Sequence, residues 1–172
     1  HVEQQLFLVD DGTTTFIHLD REKVPALLHY LNKMKFMLRV DVREVSDEYA
    51  ILKAPGKTDD MGGPYALVPR NELAATTSAF ATSNLQVGIW AIEAERIAKG
   101  RARIGLDTDH KSIPNELGVL NKAVHMNKGC YRGQETVAKV FNLGHPPRRL
   151  VLLHLDGSSV DIPSTGDAVT FE

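Results

Sequence analysis

The sequence has a single cysteine, no long apolar run and no excess of basic residues. One cysteine among 172 residues excludes an intramolecular disulfide, which fits a reducing compartment. No apolar run approaches the ~20 residues that cross a bilayer. The net charge of −2 lacks the basic surplus of a nucleic-acid binder. We therefore expect a cytoplasmic protein with no membrane partner and no direct nucleic-acid partner.

The seven histidines are scattered, and no pair has the spacing of metal ligands on one face, so no metal site is predicted. The chain begins with His1 rather than methionine, and it ends in a strand-like run at Val169 to Glu172. We therefore expect a piece of a longer protein, and we expect it to be a monomer.

Apolar periodicity predicts four helices. Apolar residues at helical spacing between Val24 and Leu31 form one stripe, with Asp20 as the predicted cap. A second helix is predicted from a cap at Asn71 to about Ala81. The other two helices are predicted over residues 88–99, ended by Gly100, and 133–142, ended by Gly144.

Short β-branched and alternating runs predict strands. The first two form a hairpin around the turn 10–12, and the run 38–42 alternates apolar and charged residues. Further strands are predicted over 49–52, 65–68, 150–155 and 168–171, and the glycine- and proline-rich stretch 53–64 is predicted to be a loop. This order predicts an α+β fold of antiparallel sheets with packed helices over 1–145. Residues 146–172 would then begin a second, β-rich module.

The segment Lys128 to Glu135, KGCYRGQE, concentrates the residues that could carry chemistry. Glycines on either side of Cys130 let a ligand or another backbone approach. Lysine and arginine neighbours, together with a helix beginning near Gly133, favour the thiolate form of the cysteine. Gln134 and Glu135 in the first helical turn can hydrogen-bond a ligand. The alternative is a small buried cysteine, although charged and glycine-rich flanks are poor core material.

Two other polar groups have simpler interpretations. Asp107, Asp109 and His110 are predicted to form a solvated acidic loop rather than a cation site. Arg148 and Arg149, beside two prolines, are predicted to form a solvated turn.

KGCYRGQE closely resembles the signature of the YgfZ-type folate-binding proteins, relatives of the aminomethyltransferase (T-protein) of the glycine cleavage system. The stretch 95–101 is similar to the family's R-I-x-x-G-x-P element, with Ala102 where proline is common. The stretch 109–116 resembles its D-x-x-x-I-P-x-E element, and 136–155 resembles its downstream segment. The likeness covers about residues 89–157.

The resemblance implies ferredoxin-like α+β modules, a C-terminal β-barrel and tetrahydrofolate bound in a central channel. It also implies a role in assembling or repairing iron–sulfur enzymes, including those that modify tRNA, with those enzymes or their assembly proteins as partners. Carried over to this sequence, it implies a functional thiol and its lysine neighbour (Cys130, Lys128), folate contacts (Arg96, Tyr131, Gln134, Glu135) and structural glycines (Gly129, Gly133).

Three hypotheses stay open at this point. The chain supports iron–sulfur enzymes through tetrahydrofolate and Cys130, or it is a folate-dependent aminomethyltransferase, or the motif serves only as a scaffold. The T-protein chemistry depends on an aspartate near the family's N-terminus, in a region that we expect this sequence to lack. For Arg96, the structural alternative to folate binding is an ion pair with Glu93, three residues earlier on the same helix face.

Overall fold

A computed structural model describes residues 1–54, 65–158 and 162–170, and it confirms the α+β class. Residues 55–64, which hold most of the predicted loop 53–64, lie outside the described ranges. The elements in chain order are β1 (Phe7–Asp10), β2 (Thr15–His18), α1 (Val24–Met34), β3 (Tyr49–Lys53), β4 (Tyr65–Pro69), α2 (Leu73–Ala81), α3 (Ile89–Ala98), α4 (Leu120–Ala123) and α5 (Gln134–Leu143).

The predicted first hairpin is confirmed. Strands β1 and β2 pair antiparallel from Phe7 with His18 to Asp10 with Thr15. The side chain of Asp10 accepts the Gly12 amide at 2.7 Å, and that of Asp11 accepts the Thr14 amide at 2.7 Å. These carboxylates hold the turn closed, because they satisfy backbone donors that have no ladder partner.

Strands β3 and β4 form a second antiparallel hairpin, also as predicted, from Tyr49 with Pro69 to Lys53 with Tyr65. Aromatic rings join the two hairpins. The ring of Tyr65 lies 4.8 Å from that of His18 and 5.6 Å from that of Phe7. Edge-on ring packing of this kind stabilises a contact beyond its buried area.

The predicted helices 88–99 and 133–142 are confirmed as α3 and α5. Gly88 precedes α3, and Gly133 and Gly144 bracket α5 with φ of 81° and 76°. These two left-handed positions favour glycine because a side chain is strained there. They fix where the helix after the cysteine motif begins and ends.

Three predicted strands are not formed. Residues 38–42, 150–155 and 168–170 are not in any β-ladder, while Phe171 lies outside the described residues. An alternating or apolar run becomes a strand only when another strand supplies hydrogen-bond partners. The side chains of Leu38 and Leu153 are accordingly 68% and 54% exposed.

Both predicted helix caps are wrong. Asp20 and Asn71 fall at short 3-10 turns, Arg21–Lys23 and Arg70–Glu72, that precede α1 and α2, and neither caps with its side chain. Asp20 instead accepts two hydrogen bonds from Arg103, each 3.1 Å long. A carboxylate that pairs with a distant arginine is not available to cap its own helix.

The buried apolar residues lie in α1, β4, α5 and the segments after β3 and α3. They are Leu27, Ala54, Ala66, Val68, Ala102, Ile113 and Val137. Two polar side chains, Ser112 and Glu116, are buried beside Ile113. Over the described ranges, none of the helices has both the length and the apolar character that crossing a membrane requires.

Candidate functional site

The cysteine motif ends at the beginning of α5, as the sequence predicts. The amide of Gln134 donates to the carbonyl of Tyr131 at 3.2 Å, and the amide of Val137 donates to that of Gly133 at 3.2 Å. Gly133 takes the left-handed conformation, whereas Gly129 does not. The positive end of the α5 dipole therefore lies immediately after the cysteine loop, where it favours negative charge.

Cys130 is a free, exposed cysteine. The alternative interpretation, a small buried cysteine, is therefore wrong. Cys130 lines an open depression of ≈ 650 Å³ between α1 and the motif. The lining residues are Tyr30, Lys33, Met34, Lys128, Cys130, Tyr131 and Arg132. The depression combines a thiol with cationic and aromatic neighbours.

Two contacts shape the cysteine loop. Lys128 Nζ lies 5.8 Å from the centroid of the Tyr131 ring, within cation–π range. Arg132 Nη1 donates a hydrogen bond to Glu3 Oε2 at 3.0 Å, and its Nη2 forms an ion-pair contact with Oε1, also at 3.0 Å. The Arg132 side chain is 70% exposed, so this pair is screened by solvent.

Arg96 makes the helix-surface ion pair that was the alternative to ligand binding. Its Nε donates to Glu93 Oε2 at 3.0 Å, and its Nη1 donates to Asp107 Oδ2 and to the Arg101 carbonyl at 2.6 Å each. Arg103 also pairs with Glu93, at 3.0 Å. The contact with Asp20 raises the pKa of Arg103. Within the described residues, Arg96 Nη2 donates to nothing, so this nitrogen is available to a ligand.

Arg96 lies at a second depression, of ≈ 370 Å³. This depression is formed by the end of α3, the loop after it and the segment that follows the two prolines. Its lining is Arg96, Ile97, Gly100, Arg101, Asp107, Asn115, Glu116, Leu117, Gly118 and residues 149–152. We call it the arginine depression, and the one beside Cys130 the cysteine depression.

Arg148 bridges Asp109 and Glu116, an arrangement that the sequence did not predict. Its Nε and Nη2 each donate to the Glu116 carboxylate at 3.0 Å, and its Nη1 donates to Asp109 Oδ2 at 2.7 Å. Asp109 and Arg148 are both exposed, as the predicted solvated loop and solvated turn require, but the ion pair between them was not predicted. The pairing connects residues 32 and 39 positions apart, which local sequence cannot reveal.

The electrostatics of this bridge follow from its geometry. The Arg148 guanidinium holds the pKa of the Asp109 carboxyl well below its usual range, with help from the Ser112 hydroxyl. The same contacts, with Asp109 first and then Glu116, raise the pKa of Arg148. Bidentate pairs between arginine and carboxylates are strong because both charges are met by matched hydrogen bonds.

The two depressions have no lining residue in common. The structure thus brings Lys128, Cys130 and Tyr131 together but does not bring Arg96 to them. Gln134 is half-buried and Glu135 is exposed at the beginning of α5, and neither lines a depression. Across the described part of the chain, no group of three histidine, cysteine or acidic side chains is arranged to hold a metal ion.

Comparison with known proteins adds one relative. No protein-family model matches the sequence, and no solved structure matches it. The chain is 29% identical over 100 residues to a protein of Arabidopsis thaliana described as "Putative transferase At1g60990, chloroplastic". The match covers 58% of this chain and 23% of the relative's length. The chain therefore spans less than a quarter of the relative that it matches.

Proposed function

We propose that this chain is part of a tetrahydrofolate-binding protein, related to folate-dependent transferases, that supports the assembly or repair of iron–sulfur enzymes. The observation that carries the proposal is the arginine depression, which includes Arg96, the residue that the family resemblance carries over as a folate contact. The Arabidopsis relative described as a transferase supports the coarser part, a link to transferases.

The lining of the arginine depression suits a reduced folate. A folate combines a flat ring system with carboxylates at its far end. The apolar side chains of Ile97, Leu117 and Leu150 offer a surface for the rings, and Arg101 and Arg149 offer planar donors to the carboxylates. Arg96 Nη2 adds a donor at the end of α3.

The proposed partner-facing group is Cys130. Its thiol is exposed, with the α5 N-terminus close behind it in sequence and Lys128 in the same depression. An exposed thiol with cationic neighbours can meet another protein surface, whereas a buried thiol cannot. In this proposal the arginine depression binds the cofactor and the cysteine depression meets the iron–sulfur enzyme or its assembly protein.

Calorimetric titration of the chain with 5-formyltetrahydrofolate, a stable reduced folate, tests the first half. We expect saturable binding that Arg96→Gln weakens by about tenfold, as loss of one charged hydrogen bond implies. Arg43→Gln is the matched control, because Arg43 also pairs with a glutamate, Glu48, but lines neither depression. Absence of binding, or equal loss in both variants, would overturn the folate assignment.

Complementation tests the second half. In cells lacking the full-length protein, the wild type should restore iron–sulfur enzyme activity, and Cys130→Ala should not. Full rescue by Cys130→Ala would remove the thiol from the mechanism.

The name of the relative favours a second candidate of the transferase class, and the family resemblance implies that it would be a folate-dependent aminomethyltransferase. The cysteine motif argues against it, because aminomethyl transfer to folate does not need a thiol. An assay of the full-length protein with an aminomethylated lipoyl carrier decides between the two. Formation of methylene-tetrahydrofolate would establish the transferase, and its absence would exclude it.

A further inference from the structure

One wall of the arginine depression is the segment 149–152, which belongs to no β-ladder. Among the described residues, its backbone makes one hydrogen bond to the rest of the site, from the Leu150 amide to the Glu116 carbonyl at 3.1 Å. A segment without ladder partners is held in place only by such individual contacts. The position of this wall therefore depends on what anchors the residue just before it.

That residue is Arg148, and its anchor is strong. All three guanidinium nitrogens donate to the carboxylates of Asp109 and Glu116. Glu116 is only 7% exposed, and its Oε2 also accepts the Ile113 amide at 3.2 Å. The guanidinium of arginine presents five N–H donors in a fixed planar fork, whereas the ammonium of lysine has three donors on one atom and matches two carboxylates less well.

The next residue, Arg149, differs from Arg148 in its ion pairing. Arg149 and Arg101 both line the depression, and neither forms an ion pair with any carboxylate of the described residues. The two acids of the lining are already engaged, Asp107 by Arg96 Nη1 and the amide of Arg103, and Glu116 by Arg148. The depression therefore has two positive charges without an internal partner, and these suit an anionic ligand.

We propose that Arg148 is a positioning residue: its fork onto Asp109 and Glu116 holds the wall 149–152 so that Arg149, together with Arg101, can bind the carboxylates of an anionic ligand. The identity of the ligand as a folate rests on the proposed function above. The positioning role rests only on the geometry of the wall and its anchor.

Hydrogen exchange in the free chain tests the anchor without any ligand. Arg148→Gln should make the Leu150 amide exchange at least about tenfold faster while amides of α1 and α5 stay protected. The matched control is Arg132→Gln, which removes another bidentate arginine whose partner, Glu3, is exposed. If the glutamine variant unfolds, Arg148→Lys replaces it in the experiment. This variant should speed exchange of the Leu150 amide to a smaller degree. Unchanged exchange at Leu150 in both Arg148 variants overturns the proposal.

A double-mutant cycle with 5-formyltetrahydrofolate tests the link to binding. Arg149→Gln should weaken binding about tenfold and reduce its salt dependence, with Leu150 exchange unchanged. Lys139→Gln on α5, which lines neither depression, should do neither. In a chain that already carries Arg148→Gln, the further change Arg149→Gln should weaken binding by less than about threefold, because an Arg149 that is already out of place contributes little to affinity.

The outcomes separate the two proposals. Additive losses in the cycle contradict the positioning role, since a merely structural Arg148 would leave the contribution of Arg149 intact. If the folate does not bind at all, the proposed function fails, and the exchange experiment still decides whether Arg148 anchors the wall.

Discussion

The two depressions differ in how the protein holds them. The arginine depression is bounded by side chains fixed in ion pairs, Glu116 with Arg148 and Arg96 with Glu93. The cysteine depression is bounded by a glycine-rich loop whose ion pair, Arg132 with Glu3, is largely exposed. Buried and bidentate pairs keep their geometry, whereas exposed pairs contribute little to it.

This contrast supports a division of labour between the two depressions. A ligand pocket gains affinity when its walls are already in place before the ligand arrives. A thiol that must meet another protein gains from being reachable, and Cys130 is exposed. The two regions should therefore respond to substitution as differently as their contacts suggest.

The largest effect is expected from Arg148→Met, compared with Arg132→Met. Both arginines make bidentate contacts with a glutamate, but Glu116 is 7% exposed whereas the Glu3 side chain is 41% exposed. Leaving the buried Glu116 carboxylate without its partner costs about 2 kcal/mol. The loss of stability in Arg132→Met, which removes the partner of the exposed Glu3, should stay below about 0.5 kcal/mol.

Urea unfolding followed by circular dichroism measures both losses. Adding Glu116→Gln to Arg148→Met should recover part of the stability, because a neutral amide is easier to bury than an unpaired carboxylate. Equal midpoints for the two arginine variants would contradict the contrast between the depressions.

Acid should weaken the arginine depression through Asp109. The pKa of Asp109 is lowered in the folded chain, so its ionised form stabilises the fold. This contribution is fully present above the ordinary carboxyl pKa of about 4, and it is lost as the pH falls through the lower folded value. The stability difference between the wild type and Asp109→Asn should therefore be constant from pH 7 to about 5 and shrink below about 4. A difference that stays constant down to pH 2 would show that Asp109 is not stabilised by Arg148.

The sequence predicts the local parts of this site well. Glycines and apolar spacing place α3 and α5 within one residue of their observed bounds. The same glycines place Cys130 at a helix start. These features depend on neighbours in the chain, and local patterns therefore report them.

The parts that depend on distant residues are not predictable in this way. The bridge from Arg148 to Asp109 spans 39 positions, and nothing near Arg148 in the sequence indicates it. The alternation at 38–42 and the apolar run at 150–155 indicate which side chains a strand would bury. They do not indicate whether a partner strand is present. The separation of Arg96 from Cys130 into two depressions likewise depends on the tertiary structure and cannot be predicted from local sequence.

A smaller effect is expected from Gly133→Ala, compared with Gly88→Ala. Both glycines immediately precede a helix, and a Cβ added at either meets nothing within 4 Å. Gly133 has a φ of 81°, whereas Gly88 has a φ of −82°. Alanine at 133 should destabilise the chain by about 1 kcal/mol, and alanine at 88 should be neutral or slightly stabilising. Similar urea midpoints for both would show that the left-handed start of α5 is not required.

The smallest effect on stability is expected from Cys130→Ala. The thiol is exposed, and among the described residues it makes no hydrogen bond, so the free energy of unfolding should change by less than about 0.5 kcal/mol. Maleimide should label Cys130 faster in the folded chain than in urea. Lys128→Gln should slow labelling of the folded chain alone, since only folding brings the ammonium into the same depression. Labelling at the same rate in the folded and denatured chains, with no effect of Lys128, would instead favour the scaffold hypothesis. A stable, unreactive Cys130→Ala variant that also fails to restore iron–sulfur enzyme activity would tie the motif to chemistry rather than to the fold.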